Sequence, residues 1–560
     1  MPTTKDSFEQ LGRRALGPRP ARRVLALVLA LTLLTRLPLF TIGLGIDEGG
    51  YSAVAAQWHP LHAGTSTYGN LFLDRPPLLL LLVKASLIFG NAGMRVLGMV
   101  CALSIVGGVW LAARRLLGPA GAIIAAPLAA VYASIVVTGA IFTNAELVAA
   151  PFGVWSVAVA AGVLPTMWPG AAGAPRAKSP LRSLLLAGAL AGCASMCKQN
   201  FVDAGIAVLA ALAVAVVVER RAARESGPVR EADLQAEAPR IKLGWRHVAA
   251  FIAGGLAVLG AALTWVVVSG PGAAGMWEAL FVFRTDVAKV ISHGSVAPSQ
   301  LRALKLVVLA GVLGMLPIVV MTVALQVRAF RRTPVLSTLI LTWLAVATAG
   351  VILGGSYWVH YVQQIAFPVA LAGGYVAQRA RGNLRLMRVV VLLTLSLVAG
   401  LIVINASAGV MLPVKPYHVR DTEIGAWVGD HARPGDTIWV EYARANLMHA
   451  STLPTPYPYL WSLMVRGRPN AVNQLHALLD SRQRPNWVVR WNIDNNWKLD
   501  PAGVTRATLS RNYTKVGTVC GVDIMHDTAT LATSGIRRAG PLYNGCTHRQ
   551  SGDALFGLVD

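Results

Sequence analysis

Apolar runs near the length needed to cross a hydrocarbon core, about 20 residues each, recur along the whole first three quarters of this chain. They lie near 22–44, 95–113, 119–138, 147–165, 182–197, 201–219, 246–268, 302–326, 334–353, 357–378 and 388–411. The pattern predicts an α-helical polytopic membrane protein with about 11 transmembrane helices. The run 76–91 is the exception. It opens on Pro76-Pro77, contains Lys84 and stops at Gly90, after roughly 15 residues, which is the length of an interfacial segment lying on the membrane. After residue 411 the pattern changes. Helix-like stretches (421–432, 470–482, 501–511) alternate with strand-like ones, Thr437-Ile438-Trp439-Val440-Glu441 and Asn486-Trp487-Val488-Val489-Arg490, which predicts a C-terminal α/β domain over 412–560 with a core of its own. The segment 221–244, rich in Arg, Glu, Pro and Ala, reads as a polar cytosolic linker.

Charge decides which side is which. If 76–91 does not cross, Arg114/Arg115, Arg176/Lys178/Arg182, Arg220/Arg221/Arg224, Arg328/Arg331/Arg332 and Arg379/Arg381/Arg385/Arg388 all fall on the side of the basic N-terminus, with its Arg13, Arg14, Arg19, Arg22 and Arg23. That is the positive-inside arrangement. The expected layout is a cytosolic N-terminus (1–21), a transmembrane region (22–411) with outer loops 45–94 and 270–301, and an extracytoplasmic C-terminal domain (412–560), the whole in the cell membrane. Composition agrees: 55% of the 560 residues are hydrophobic, 14% are charged, and mean hydropathy is +0.55, more apolar surface than a soluble core of this size uses. The net charge of +24 would suggest nucleic acid in a soluble chain. Here much of it sits in clusters between apolar runs, so no nucleic-acid partner is expected. The first apolar run is too long for a signal peptide and reads as a retained span. Of five cysteines, Cys101, Cys193 and Cys197 lie in apolar runs as small hydrophobes. Cys520 and Cys546 fall in the polar region, where they form one disulfide or remain two thiols.

The candidate chemistry lies where the first run ends. Asp47-Glu48-Gly49-Gly50-Tyr51 follows it, and Asp74-Arg75-Pro76-Pro77-Leu78 closes the same loop. The helix count brings Asn144, Glu146, Lys198, Gln199, Asn200, Glu278, Arg284, Asp286, Lys289, His293, His360, Tyr361, Gln363 and Gln364 toward the same face. Such a layout suits a lipid-linked anionic substrate: the tail stays in the bilayer, interfacial cations hold its phosphate, and a carboxylate activates an acceptor hydroxyl above. Plainer readings stand beside this one. Asp47-Glu48 would be a solvated loop start, Arg75 a snorkelling anchor, Glu146 an acid favoured by the helix dipole, Lys198 a headgroup contact, His360 an interfacial histidine, and 284–293 a solvated loop. Arg36, deep in the first run, needs a partner or a route to the surface. Tyr457, Tyr459, Trp461, Trp491 and Trp497 would stack on carbohydrate or form the core of the C-terminal domain. Asp47 and Glu146 would suit a hard divalent cation, but no dense ligand motif is present, so metal and cofactor stay open.

Asp-Glu-x-x-Tyr after the first span, followed by a basic-Pro-Pro-Leu element, resembles the polyprenyl-phosphate-sugar-dependent glycosyltransferases of the GT-C fold. The nearest branch holds the protein mannosyltransferases and the lipid A aminoarabinose transferases. Ala113-Arg114-Arg115-Leu116-Leu117-Gly118 and Asn144-Ala145-Glu146 extend the likeness, which is good over roughly 22–220 and architectural beyond. The resemblance implies a GT-C type fold. It also implies transfer of a sugar from a polyprenyl-phosphate-linked donor to a protein, polysaccharide or glycolipid acceptor at the outer face of the cytoplasmic membrane, among membrane lipids. It makes Asp47 the catalytic base, or an acid that positions the acceptor and any metal, with Glu48 its motif neighbour. Arg75, where the family usually has lysine, is placed at the donor phosphate with Lys198 and His360, and Tyr51, Glu146 and Tyr361 are placed at the substrates. Two other classes compete: a polytopic lipid or solute transporter or flippase, whose ionisable residues should lie near mid-membrane, and a non-catalytic cell-envelope assembly scaffold. A GT-C enzyme moving a non-sugar or whole-glycan group is a nearer variant.

Overall fold

A computed structural model describes residues 18–164, 177–225, 243–293, 296–411, 416–442, 444–491 and 499–534. The chain enters through α1 (Pro18–Arg36), which tightens into a 3-10 turn over Leu37–Thr41, and then forms α2 (Ile46–Gln57) and α3 (Pro77–Ser86). The ten residues of α3 rise about 15 Å, half of what a span needs, as the break at Pro76-Pro77 predicts. Its Lys84 donates to the carbonyls of Ala55 and Trp58, both at 2.8 Å. A lysine in an apolar run is thereby explained, because it satisfies the orphan carbonyls at the end of α2. There follow α4 (Gly93–Leu116), α5 (Pro119–Ser134), α6 (Ala145–Ala160), α7 (Pro180–Cys197), α8 (Asp203–Glu225) and α9 (Trp245–Val268). The segment 270–293, part of the expected outer loop, is largely helical: α10 (Gly272–Trp277) runs through a π turn into α11 (Phe283–His293). Then come α12 (Val296–Val312), α13 (Met315–Ala329), α14 (Pro334–Leu353), α15 (Val362–Arg379) and α16 (Leu384–Met411).

Among the described residues six helices are long and apolar enough to cross a membrane, or seven if one bent pair is a single span. The remaining apolar helices are shorter, as α5 and α6 with 16 residues each, or carry polar groups, as Asp203 and Glu219 in α8 and Gln363, Gln364 and Gln378 in α15. Length and composition therefore single out six or seven of the eleven expected spans. The run 302–326, expected as one span, is broken: α12 and α13 are bent by 71° at Gly314, whose φ of +69° is a conformation that costs glycine little.

Small residues set the packing, as expected where helices cannot rely on water to drive them together. Cβ atoms added to Gly188 in α7 or Gly254 in α9 would strike the facing backbone at Phe251 and Leu185. Leu256 and Val267 of α9, Val307 and Val308 of α12 and Leu392 and Val403 of α16 stay exposed, which suits lipid-facing surface. Arg36 finds its partners in backbone: its Nη1 donates to Ala133 O at 2.7 Å and Ala140 O at 2.6 Å. The basic clusters lie at the far ends of helices that begin beside the acidic loop. α4 runs from Arg95 to Arg114 and Arg115, α8 from Asp203 to Arg224, and α15 ends at Arg379.

The C-terminal unit comprises α17 (Pro416–His431), β1 (Ile438–Val440), α18 (Ala445–Ser451), α19 (Ser462–Gly467), α20 (Ala471–Asp480), β2 (Trp487–Val489), α21 (Val504–Asn512), β3 (Tyr513–Val519), β4 (Val522–Asp527) and α22 (Thr528–Ser534). Its sheet has the order β1-β2-β4-β3, with β1 and β2 parallel and the other pairs antiparallel. Both expected strands and all three expected helices are present. The β3–β4 hairpin was not foreseen. It turns on Cys520 and Gly521, with φ of +51° and +77°, the two positive angles of a primed turn. Cys520 is disulfide-bonded; its expected partner Cys546, like Trp497, lies outside the described residues. Tyr457, Trp439 and Trp487 are core.

Candidate active site

The acidic pair is split by the helix it starts. Gly45 is the N-cap of α2, and Glu48 Oε2 reaches back to accept its N–H at 2.9 Å. Glu48 Oε1 accepts from Arg95 Nη1 and from the Thr143 N–H, both at 2.6 Å. Arg95 in turn donates to the carbonyls of Ile141, Ile42 and Gly43. Glu48 is fully buried with both oxygens committed, so it ties α2, α4 and the turn before α6 together. Both oxygens already accept hydrogen bonds inside the protein, which gives Glu48 a holding role in this structure where the sequence suggested a catalytic one. Successive residues on a helix point about 100° apart. Asp47 therefore faces elsewhere: half-buried, its Oδ1 accepts the Trp461 indole N–H at 2.9 Å, and Oδ2 has no hydrogen-bond partner among the described residues.

Arg75 is placed by an aromatic clasp. Trp58, Tyr68 and Trp265 pack ring on ring with centroids 5.1 to 5.9 Å apart. The Tyr68 hydroxyl donates to the Arg75 carbonyl at 2.5 Å, and Trp265 donates to Pro60 O at 2.7 Å. The Arg75 guanidinium pairs with Asp74 at 2.9 Å, and Arg284 from α11 pairs with the other oxygen of Asp74. Burial alone would raise the Asp74 carboxyl; Arg284 and Arg75 overcome it and hold the group below its ordinary value. Arg75 also feels the charges of Asp47 and Glu146.

The third contribution comes from helix ends. Asn144 caps α6 by accepting the Leu147 N–H at 2.9 Å, which fixes Glu146 in the first turn, buried. Glu146 pairs with Lys198 in the turn after α7, and His360 Nε2 stands 3.7 Å away. The Lys198 ammonium lies 4.5 Å from the centre of the Tyr361 ring, a cation–π distance. Burial pushes Lys198 down to about 8, with Arg75 and Arg284 adding to the effect against the pull of Glu146.

Of the residues expected from sequence, Asp47, Tyr51, Arg75, Glu146, Lys198, His360 and Tyr361 converge on one region, and Glu48 alone is turned away from it. Sequence reasoning named Asp74 in the loop without a role, left Trp461 between carbohydrate stacking and core, and favoured a solvated loop for Arg284. Phe283 and Val287, buried one helical turn apart on either side of Arg284, were the available signal that 283–293 is an amphipathic helix presenting Arg284 inward. Asp286 and Lys289 pair on the surface. Among the described residues no three His, Cys, Asp or Glu side chains stand close enough to hold a metal ion. Glu146 is neutralised by Lys198, and the donor set does not form a hard-cation cage.

Residues 74–230 match the family described as dolichyl-phosphate-mannose-protein mannosyltransferase. No curated protein sequence matches the chain. In fold the chain is similar to ArnT from Cupriavidus metallidurans, both bound to undecaprenyl phosphate and in the apo state. Identities are 14% and 15%, each match covers 92% of this chain and 99% of that one, and the TM-score is 0.51 for both. The Archaeoglobus fulgidus oligosaccharyltransferase tethered with an acceptor peptide aligns at 12% identity and TM-score 0.48, over 90% of this chain and 73% of that one. This membrane protein therefore has a GT-C type fold, and over residues 74–230 it is similar to the dolichyl-phosphate-mannose-protein mannosyltransferases.

Proposed function

We propose that the protein transfers a sugar from a polyprenyl-phosphate donor to an acceptor hydroxyl at the outer face of the cytoplasmic membrane. The observation that carries this is a half-buried carboxylate with one uncommitted oxygen, Asp47, beside three cations, Arg75, Lys198 and Arg284, that share only two carboxylates. Asp47 Oδ2 takes the proton of the acceptor hydroxyl as its oxygen attacks the anomeric carbon. The bond from that carbon to the phosphate oxygen breaks, and the electron pair leaves with the lipid phosphate. Charge grows on the departing phosphate, where preorganised guanidinium and ammonium groups stabilise it most. Asp74 and Glu146 keep those cations oriented while the donor is away. The undecaprenyl phosphate bound to the ArnT structure is of the same chemical kind as the proposed leaving group.

The orientation follows from the basic clusters at the helix ends remote from the site, which the positive-inside rule puts in the cytosol. Site and C-terminal domain are then extracytoplasmic. Membranes carrying the protein, supplied with labelled polyprenyl-phosphate mannose, glucose, galactose and arabinose, should show transfer from at least one donor that Asp47→Asn abolishes. Absence of transfer from the whole panel, or full activity in the variant, would contradict the proposal.

A further inference from the structure

A carboxylate that takes a proton works best with one oxygen held and the other open, and here the holding group comes from the far end of the chain. Trp461, the N-cap of α19, donates its indole N–H to Asp47 Oδ1 at 2.9 Å, and its ring centroid lies 5.9 Å from that of Tyr51. The C-terminal unit is docked around this contact. Asn446 donates to Leu44 O at 3.2 Å, the Phe72 N–H donates to Pro458 O at 2.9 Å, and Arg468 lies over the Phe72 ring while pairing with Glu278.

The two glycines of Asp47-Glu48-Gly49-Gly50-Tyr51 lie within α2, where glycine is disfavoured. Neither has a positive φ. Their value is space: a Cβ on Gly49 would collide with the Asn446 backbone, and one on Gly50 with the six-membered ring of Trp461.

We infer that Trp461 is a positioning residue for Asp47, supplied by the C-terminal domain, and that Gly50 is glycine in order to admit its indole. This rests on the reading of Asp47 as base. The indole fixes Oδ1, which leaves Oδ2 aimed at the acceptor. Trp461→Phe removes the N–H and the outer ring while keeping an aromatic side chain.

The test uses the purified full chain in proteoliposomes with the sugar of the panel that supports transfer. Trp461→Phe should lower kcat by roughly 10- to 100-fold, the effect of losing one hydrogen bond to a charged group, with KM for the donor and the melting temperature unchanged. Gly50→Ala, which pushes the indole aside, should lower kcat similarly in the presence of Trp461. It should cost little further in the Trp461→Phe background, where the ring atoms it would strike are gone. A kcat for Trp461→Phe equal to that of the parent, with Asp47→Asn inactive, overturns the inference and leaves the base in place. Additive losses in the double variant overturn the role given to Gly50. Activity in Asp47→Asn overturns the reading of Asp47, and the inference with it.

Discussion

Two adjacent acids of the same motif meet different surroundings because both lie in the first turn of α2, about 100° apart around its axis. Glu48 is a structural counterion, buried with Arg95. Removing one partner of such a pair leaves an uncompensated buried charge, so Glu48→Gln should destabilise the fold by about 3–5 kcal/mol, read as a lower melting temperature and less protein in membranes. Asp47→Asn should leave both unchanged. Lys198 offers a pH test. Its charged form is the one that binds phosphate, and burial brings its titration down to about 8. The clamp therefore loses a charge as pH rises through that value, and kcat/KM, which reports the free enzyme, should fall above about pH 8. Lys198→Arg keeps its charge throughout this range and should move the fall to higher pH; an unmoved limb would assign it to another group.

At the scale of elements, the apolar periodicity located the helices, though only six or seven of the eleven expected spans are long and apolar enough to cross a membrane among the described residues, and caps explain where several begin: Pro at the first turn of α3, α5, α7 and α14, and Asn144 for α6. What the pattern could not show was any feature set by contact with another element. The break at Gly314 needs a backbone angle, the helical form of 283–293 needs something for Phe283 and Val287 to pack on, and the commitment of Glu48 needs Arg95 from 47 residues away. Lys84 illustrates the same limit: in sequence it helped mark 76–91 as an interfacial segment, and its purpose appears only with the end of α2 beside it. Lys84→Met, which keeps the apolar stem, should loosen the C-terminal turn of α2 by about 1–3 kcal/mol, visible as faster amide exchange over residues 54–58 of the full chain. Unchanged exchange there would show that the two carbonyls find water or another donor.

At the scale of the molecule, the membrane region and the C-terminal unit make one site between them. The sequence placed seven of its residues in the membrane region, since charge in an apolar chain stands out. It left Trp461 between carbohydrate stacking and core, because an aromatic residue in a small α/β domain looks the same whether it faces a core or a neighbour. The cations come from helix ends and from α11, the proposed base from the first turn of α2, and its hydrogen-bond donor from the C-terminal unit. The central claim is that Asp47 removes the acceptor's proton. The most direct measurement is the turnover of purified Asp47→Asn with the active polyprenyl-phosphate sugar, at a melting temperature equal to that of the parent. The account predicts a fall of roughly 100- to 10,000-fold, the contribution of a positioned general base, with donor affinity retained. Turnover within about twofold of the parent, well inside that range, would contradict it.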